Sequence, residues 1–268
     1  MYKFRDWIPK NKISWSGLSQ NPNAIDILEK NIKNIKWFTI TLNRNAIHIL
    51  YKNMDKIEWE FLSLNPNALS ILLKNNDKIN WSNMSRNCNS IHILRNNLSK
   101  LDFDALSTNP HAIELLEEYP DKIEYSNLCM NPNAIHIIEK NMDKINWYTL
   151  SCNPMAIHIL EQNLDKVNWS VLSDNPNAIH ILEKNLDKID WKNLSENPNA
   201  IDLLKKHQDK IYWPFFFKNP SIFELNYSAL KNRCNIYKEE LIQKAMHPNR
   251  FQKYLQMGYT IDELDNIL

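Results

Sequence analysis

The chain has 268 residues with 32 Lys and Arg against 31 Asp and Glu, a formal net charge of +1. It therefore lacks the surplus positive charge on which simple nucleic-acid or acidic-membrane binding depends. Two glycines, Gly17 and Gly258, exclude a flexible Gly/Ser linker and a phosphate-cradling glycine loop. The four cysteines show no C-x-x-C spacing and read as reduced thiols of an intracellular protein, while no apolar run approaches the roughly 18 residues of a membrane span.

Residues 1–14 are too polar for a signal peptide and hold a partial unit, Trp7-Ile8-Pro9 followed by Ile13, which is expected to seal the first face of the array. From Trp15 a repeat begins. Asparagine stands at every twenty-second position from Asn21 to Asn219, and an aromatic keeps the same step from Trp15 to Trp213, with Phe103 and Tyr125 as the only non-tryptophans. A period of this length marks stacked supersecondary units that bury their apolar faces on one another.

The best-preserved unit is W-x-x-L-S-x-N-P-N-A-I-H-I-L-E-K-N-x-D-K-I, as in Trp169 to Ile189. Asn175 is a suitable N-cap and Pro176 a suitable first helical residue, so the spacing predicts a helix of about ten residues, or roughly 15 Å. Ala178, Ile179, Ile181 and Leu182 form its apolar face, with Asn177, His180 and Lys184 turned away. Asn185 is expected to end it in the left-handed conformation, as are Asn31, Asn53, Asn75, Asn97, Asn141 and Asn163. The second half of the unit has two readings. In the favoured one, cap-competent residues such as Ser14, Asn80, Asp102, Asn146, Asn168 and Asp190 open a short second helix at the aromatic. In the other, Ile189 to Trp191 form a strand, because L-x-x-I-x-W-x-x-L imitates a leucine-rich repeat.

The tenth unit decays into Trp213-Pro214-Phe215-Phe216-Phe217, whose extra aromatics are expected to pack against the C-terminal segment. Residues 226–268 leave the register and read as a helical cap. Helices are predicted over 237–246 and 248–257, with Gly258 as a left-handed stop and a capping box at Thr260 and Glu263 opening a last helix.

No triad or metal-ligand spacing emerges, so neither an enzyme nor a cofactor is expected. The serines two residues before seven of the ten ladder asparagines, Ser173 among them, read as backbone hydrogen-bonding groups rather than nucleophiles. The tryptophans read as core rather than as base-stacking platforms. What remains for recognition is a histidine ridge and two variable slots, one after the aromatic and one before the ladder asparagine. The candidate partner-binding residues are therefore His136, His158 and His180 on the ridge, Tyr148 and Lys192 in the first slot, and Arg86, Asp174 and Glu196 in the second.

The string L-S-x-N-P-N-A-I-H-I-L-E-K-N-x-D-K-I-x-W resembles the Asn-Pro-Asn-Ala repeat proteins of mimivirus-like giant DNA viruses over residues 15–220, and the tail from Ala245 to Leu264 is similar to C-terminal segments of such proteins. Cys88 and Ser90 depart from the unit. The resemblance implies a viral protein in host cytoplasm, a viral factory or a virion, and no particular activity.

The expected architecture is all-α: a right-handed α-solenoid of about ten 22-residue two-helix repeats (15–225), with an N-terminal cap (1–14) and a C-terminal helical cap (226–268). The alternative is a leucine-rich-repeat-like α/β solenoid. At about 8–10 Å per unit an open stack spans roughly 80–100 Å. The expected function is a non-catalytic scaffold for a protein partner, with RNA binding as the disfavoured alternative.

Overall fold

The computed structural model describes residues 2–245 and 247–260. The last helix predicted at 261–268 lies outside them. Two compact bodies are present: Phe4–Phe223, and a second made of the extreme N-terminus with the chain from Glu224 onward. The first body is a helical repeat. Every aromatic from Trp15 to Trp213 is the first residue of a short helix, so the helical reading of the second half-unit holds and the leucine-rich-repeat strand is absent there. Ser14, Asn80, Asp102, Asn146, Asn168 and Asp190 cap these helices through their side chains, as does Glu124.

The ladder asparagine departs from expectation. Asn175 does accept an amide two residues on, from Asn177, but this bond closes a tight turn rather than a helix. Ala178, at φ −92° and ψ 5°, is the N-cap, and the helix runs only over Ile179–Leu182. Its counterparts in the other repeats hold five or six residues, among them Ile135–Glu139 and Ile201–Lys206. The expected left-handed stop is absent too: no non-glycine described residue has positive φ. Instead Asn185 lies at φ −136° and donates its side-chain amide to the Ile181 carbonyl four residues back. Asn31, Asn53, Asn75, Asn97, Asn141 and Asn163 do the same. An asparagine therefore satisfies the orphan carbonyl that a left-handed residue serves elsewhere.

The core runs continuously through the repeats, from Leu18 and Leu28 to Leu204 and Phe216. The serine strut sits beside it. Ser173 donates to the Trp169 carbonyl at 2.8 Å and accepts the Asp190 amide at 3.0 Å, which ties one aromatic helix to the residue that caps the next.

The ladder asparagines carry the stacking. Each is buried, and each gives both side-chain amide protons to the preceding repeat. Asn109, for example, bonds the carbonyls of Ser85 and Asn87, both at 2.9 Å. The first repeat obeys the same rule with the tenth. Asn21 bonds the carbonyls of Phe217 at 3.1 Å and Asn219 at 2.8 Å, and Asn23 bonds Pro220, the relation that Asn45 has to Pro22. The repeat body is thus a closed ring of ten units, not an open stack of the length expected above.

Closure also explains both chain ends of the ring. In the tenth unit the expected helix after Asn219 is replaced by a 3-10 turn, Pro220–Ile222, and strand β2 (Phe223–Leu225), which pairs with β1 (Tyr2–Phe4). Lys10–Lys12 then forms a 3-10 turn in the register of Ile32–Asn34, and Trp15 follows. One unit is therefore assembled from both ends of the repeat body. Phe4 stacks on Phe223 and meets Phe217 edge-on, and Trp7 packs on Phe216. The extra aromatics of the last repeat receive the N-terminal segment, a partner that the sequence reading did not assign to them.

In the second body a helix spans Tyr227–Ala245, starting ten residues earlier than predicted because the Asn226 side chain caps the Ala229 amide. A further helix covers Pro248–Gln256, and Gly258 follows at φ 94°, the left-handed stop read from the sequence.

Candidate functional site

Three sets of side chains leave the framework. The first is the histidine ridge, exposed on the helix that follows the ladder turn in five of the ten repeats. Four of these histidines are paired: His136 meets Glu117 of the preceding repeat at 3.4 Å, His158 meets Glu139 at 2.9 Å and His180 meets Glu161 at 2.7 Å, while His48 meets Glu29 at 2.9 Å. Over repeats six to eight imidazole thus alternates with carboxylate, forming a belt of exposed pairs of small individual energy. No group of three or more metal-ligating side chains occurs among the described residues.

The second set surrounds the aromatics, which are half-buried rather than fully in the core. A lysine nineteen residues on covers the outer face of eight of them, as Lys100 covers Trp81 at 4.4 Å and Lys188 covers Trp169 at 4.6 Å. The lysine of the D-K-I motif is therefore a roof, its stem lying on the ring and its ammonium held by the ring quadrupole. The slot after the aromatic points toward the following repeat. Tyr148 is exposed, whereas Lys192 lies over the rings of Tyr212 and Phe215. Ser170 bonds Asp190.

The third set is the slot before the ladder asparagine. Arg86 is exposed, and Glu196 pairs with Lys218 at 3.0 Å. The surface of Asp174 is exposed, yet protein surrounds it. Desolvation and the neighbouring Glu196 carboxylate push its pKa up to about 6, against the opposing pull of Lys218. Burial likewise pushes the Cys129 and Cys152 thiols up, away from the reactive thiolate. This face is concave at the seam: repeats ten, one, two and three turn Pro220, Gln20, Pro22, Leu42, Arg44 and Pro66 into one hollow of about 290 Å³.

The candidate residues therefore fall into three separate sets rather than one site. Asp174 and Glu196 are neighbours, Arg86 lies four repeats before Asp174, and the histidines stand on their own belt. Arg44 was missed by sequence reasoning, although a signal was present: eight of ten repeats carry proline after the ladder asparagine, and Arg44 and Cys88 replace it. No described helix is long and apolar enough to cross a membrane. Comparison of the chain with family models, with curated proteins and with solved structures gives no match.

Proposed function

We propose that the protein is a non-catalytic scaffold, a closed form of the right-handed helical solenoid, that binds a protein partner through the side chains its framework leaves variable. The reading extends to a viral protein working in host cytoplasm, a viral factory or a virion, on the strength of the Asn-Pro-Asn-Ala repeat. The observation that carries it is the lysine roof. A base-stacking reader of RNA needs uncovered aromatic faces and a basic track, whereas here eight rings lie under ammonium groups and the exposed belt alternates His with Glu. A mixed-charge surface around a rigid frame suits a protein partner.

Affinity purification of the tagged chain from expressing cells tests this, with protein and ultraviolet-crosslinked RNA identified in parallel. The wild type is expected to retain a protein that the combined Arg86→Glu, Asp174→Lys, Glu196→Lys variant loses. Recovery of RNA without protein, or retention unaffected by the three reversals, would overturn it.

A further inference from the structure

We infer that the hollow across repeats ten, one, two and three is a docking site for an acidic, apolar peptide segment, with Arg44 as its anchor. The inference deepens the scaffold reading and rests on it. Arg44 performs no structural task visible in its repeat. Its turn is the same as the proline-bearing ones: the Asn45 amide meets the Asn43 side-chain oxygen at 3.0 Å, and the Arg44 carbonyl accepts Asn67 as that of Pro22 accepts Asn45. Proline stands at this position in eight repeats, where its fixed φ suits the turn and limits the unfolded chain. Arginine here gives up that benefit. Its exposed guanidinium has no hydrogen bond or ion pair among the described residues, and the Gln20 amide beside it has none either.

The walls define what fits. Pro22, Pro66, Pro220 and Leu42 supply apolar surface, and no acidic residue lines the hollow. A carboxylate matches the planar fork of Arg44, and an apolar neighbour in the same ligand covers the prolines and Leu42. A volume of about 290 Å³ admits one or two side chains, not a nucleotide chain with successive phosphates. A peptide with Asp or Glu next to Leu or Phe has this chemistry.

Fluorescence anisotropy of the full chain with a labelled peptide of alternating Asp and Leu tests the assignment, beside the same peptide with Lys for Asp and a single-stranded RNA. The acidic peptide is expected to bind saturably and the basic one not. Arg44→Pro restores the residue of the other repeats, so it is expected to fold with an equal or higher thermal midpoint while weakening binding by about tenfold or more. Arg44→Glu is expected to abolish it. Equal affinity in wild type and Arg44→Pro would overturn the hollow as the site but leave the scaffold reading standing, as would a wild type that ignores the peptide yet still retains a partner from cells. RNA binding that depends on Arg44, without competition from the acidic peptide, would overturn the assignment in favour of a phosphate ligand.

Discussion

At the scale of single residues the ladder asparagine does three jobs with one side chain. In Asn109 the oxygen closes the turn to His111 and the amide protons go to Ser85 and Asn87, so the oxygen and both protons are each engaged in the buried seam. Asn109→Ala takes the side-chain donor from the buried Ser85 carbonyl, leaves the Asn87 carbonyl to Ser90 alone and frees the turn at His111, and is expected to cost about 3 kcal/mol, read from urea denaturation. Asn133→Ala, which removes one exposed bond to Pro110, is expected to cost less than about 1 kcal/mol. Equal costs would mean that the ladder contributes no more than a surface contact. The asparagine's place was legible in the sequence because its period admits no slip. Its amide was not, because those partners lie one repeat away and only the fold brings them close. Asp174 offers a test of electrostatics at the same scale. Its folded pKa, raised to about 6, exceeds the unfolded value of about 3.9. The folded state thus holds the proton in a window where the unfolded state has released it, and stability falls as pH rises through that window. Asp174→Asn is expected to gain on the wild type in thermal midpoint from pH 4 to pH 7, modestly because the carboxylate faces solvent. A pH-independent difference would contradict the desolvation.

At the scale of elements, the apolar pattern located the helices correctly and misjudged their length. Ala178 fits the helical period as well as it fits the end of a turn, so periodicity alone could not separate a ten-residue helix from a turn followed by four residues. The second helix was legible through its caps: where Ser, Asn or Asp precedes the aromatic a side-chain cap forms, and where Lys36, Glu58 or Tyr212 stands there the helix begins without one. Helices this short have no stability of their own and depend on the contacts between repeats. Gly17 marks a close contact of this kind. A Cβ there would lie 2.6 Å from the Pro214 carbonyl and 2.8 Å from the Phe217 Cβ, while the corresponding Ala105 in repeat five is accommodated fully buried. Gly17→Ala is therefore expected to lose about 1–3 kcal/mol in urea denaturation by wedging the seam, although the change favours helix. A neutral or stabilising result would mean that the first and tenth repeats do not meet so closely in solution.

At the scale of the whole ring, the register implies a stack, but it holds no information on the small rotation per unit that decides whether ten units close. The traces were in the irregular ends: Trp7-Ile8-Pro9 and the Phe215-Phe216-Phe217 run complement each other across the seam, which becomes visible only when both ends are brought together. An open array and a ring respond differently to the loss of one unit. Deleting residues 153–174 joins Cys152 to Asn175 in perfect register, so an open stack loses one repeat and one nearest-neighbour interface. A ring loses its closure as well, because nine units leave the bonds from Asn21 to Phe217 and Asn219 out of reach. Deleting residues 1–14 attacks the same seam from the other side, removing Phe4 and Trp7 from Phe217 and Phe216. Since the seam can be lost only once, the two deletions together are expected to cost less than the sum of each alone, by about 3 kcal/mol for the shared hydrogen bonds and aromatic contacts. Urea denaturation of the four proteins measures this coupling directly, and strict additivity would refute closure.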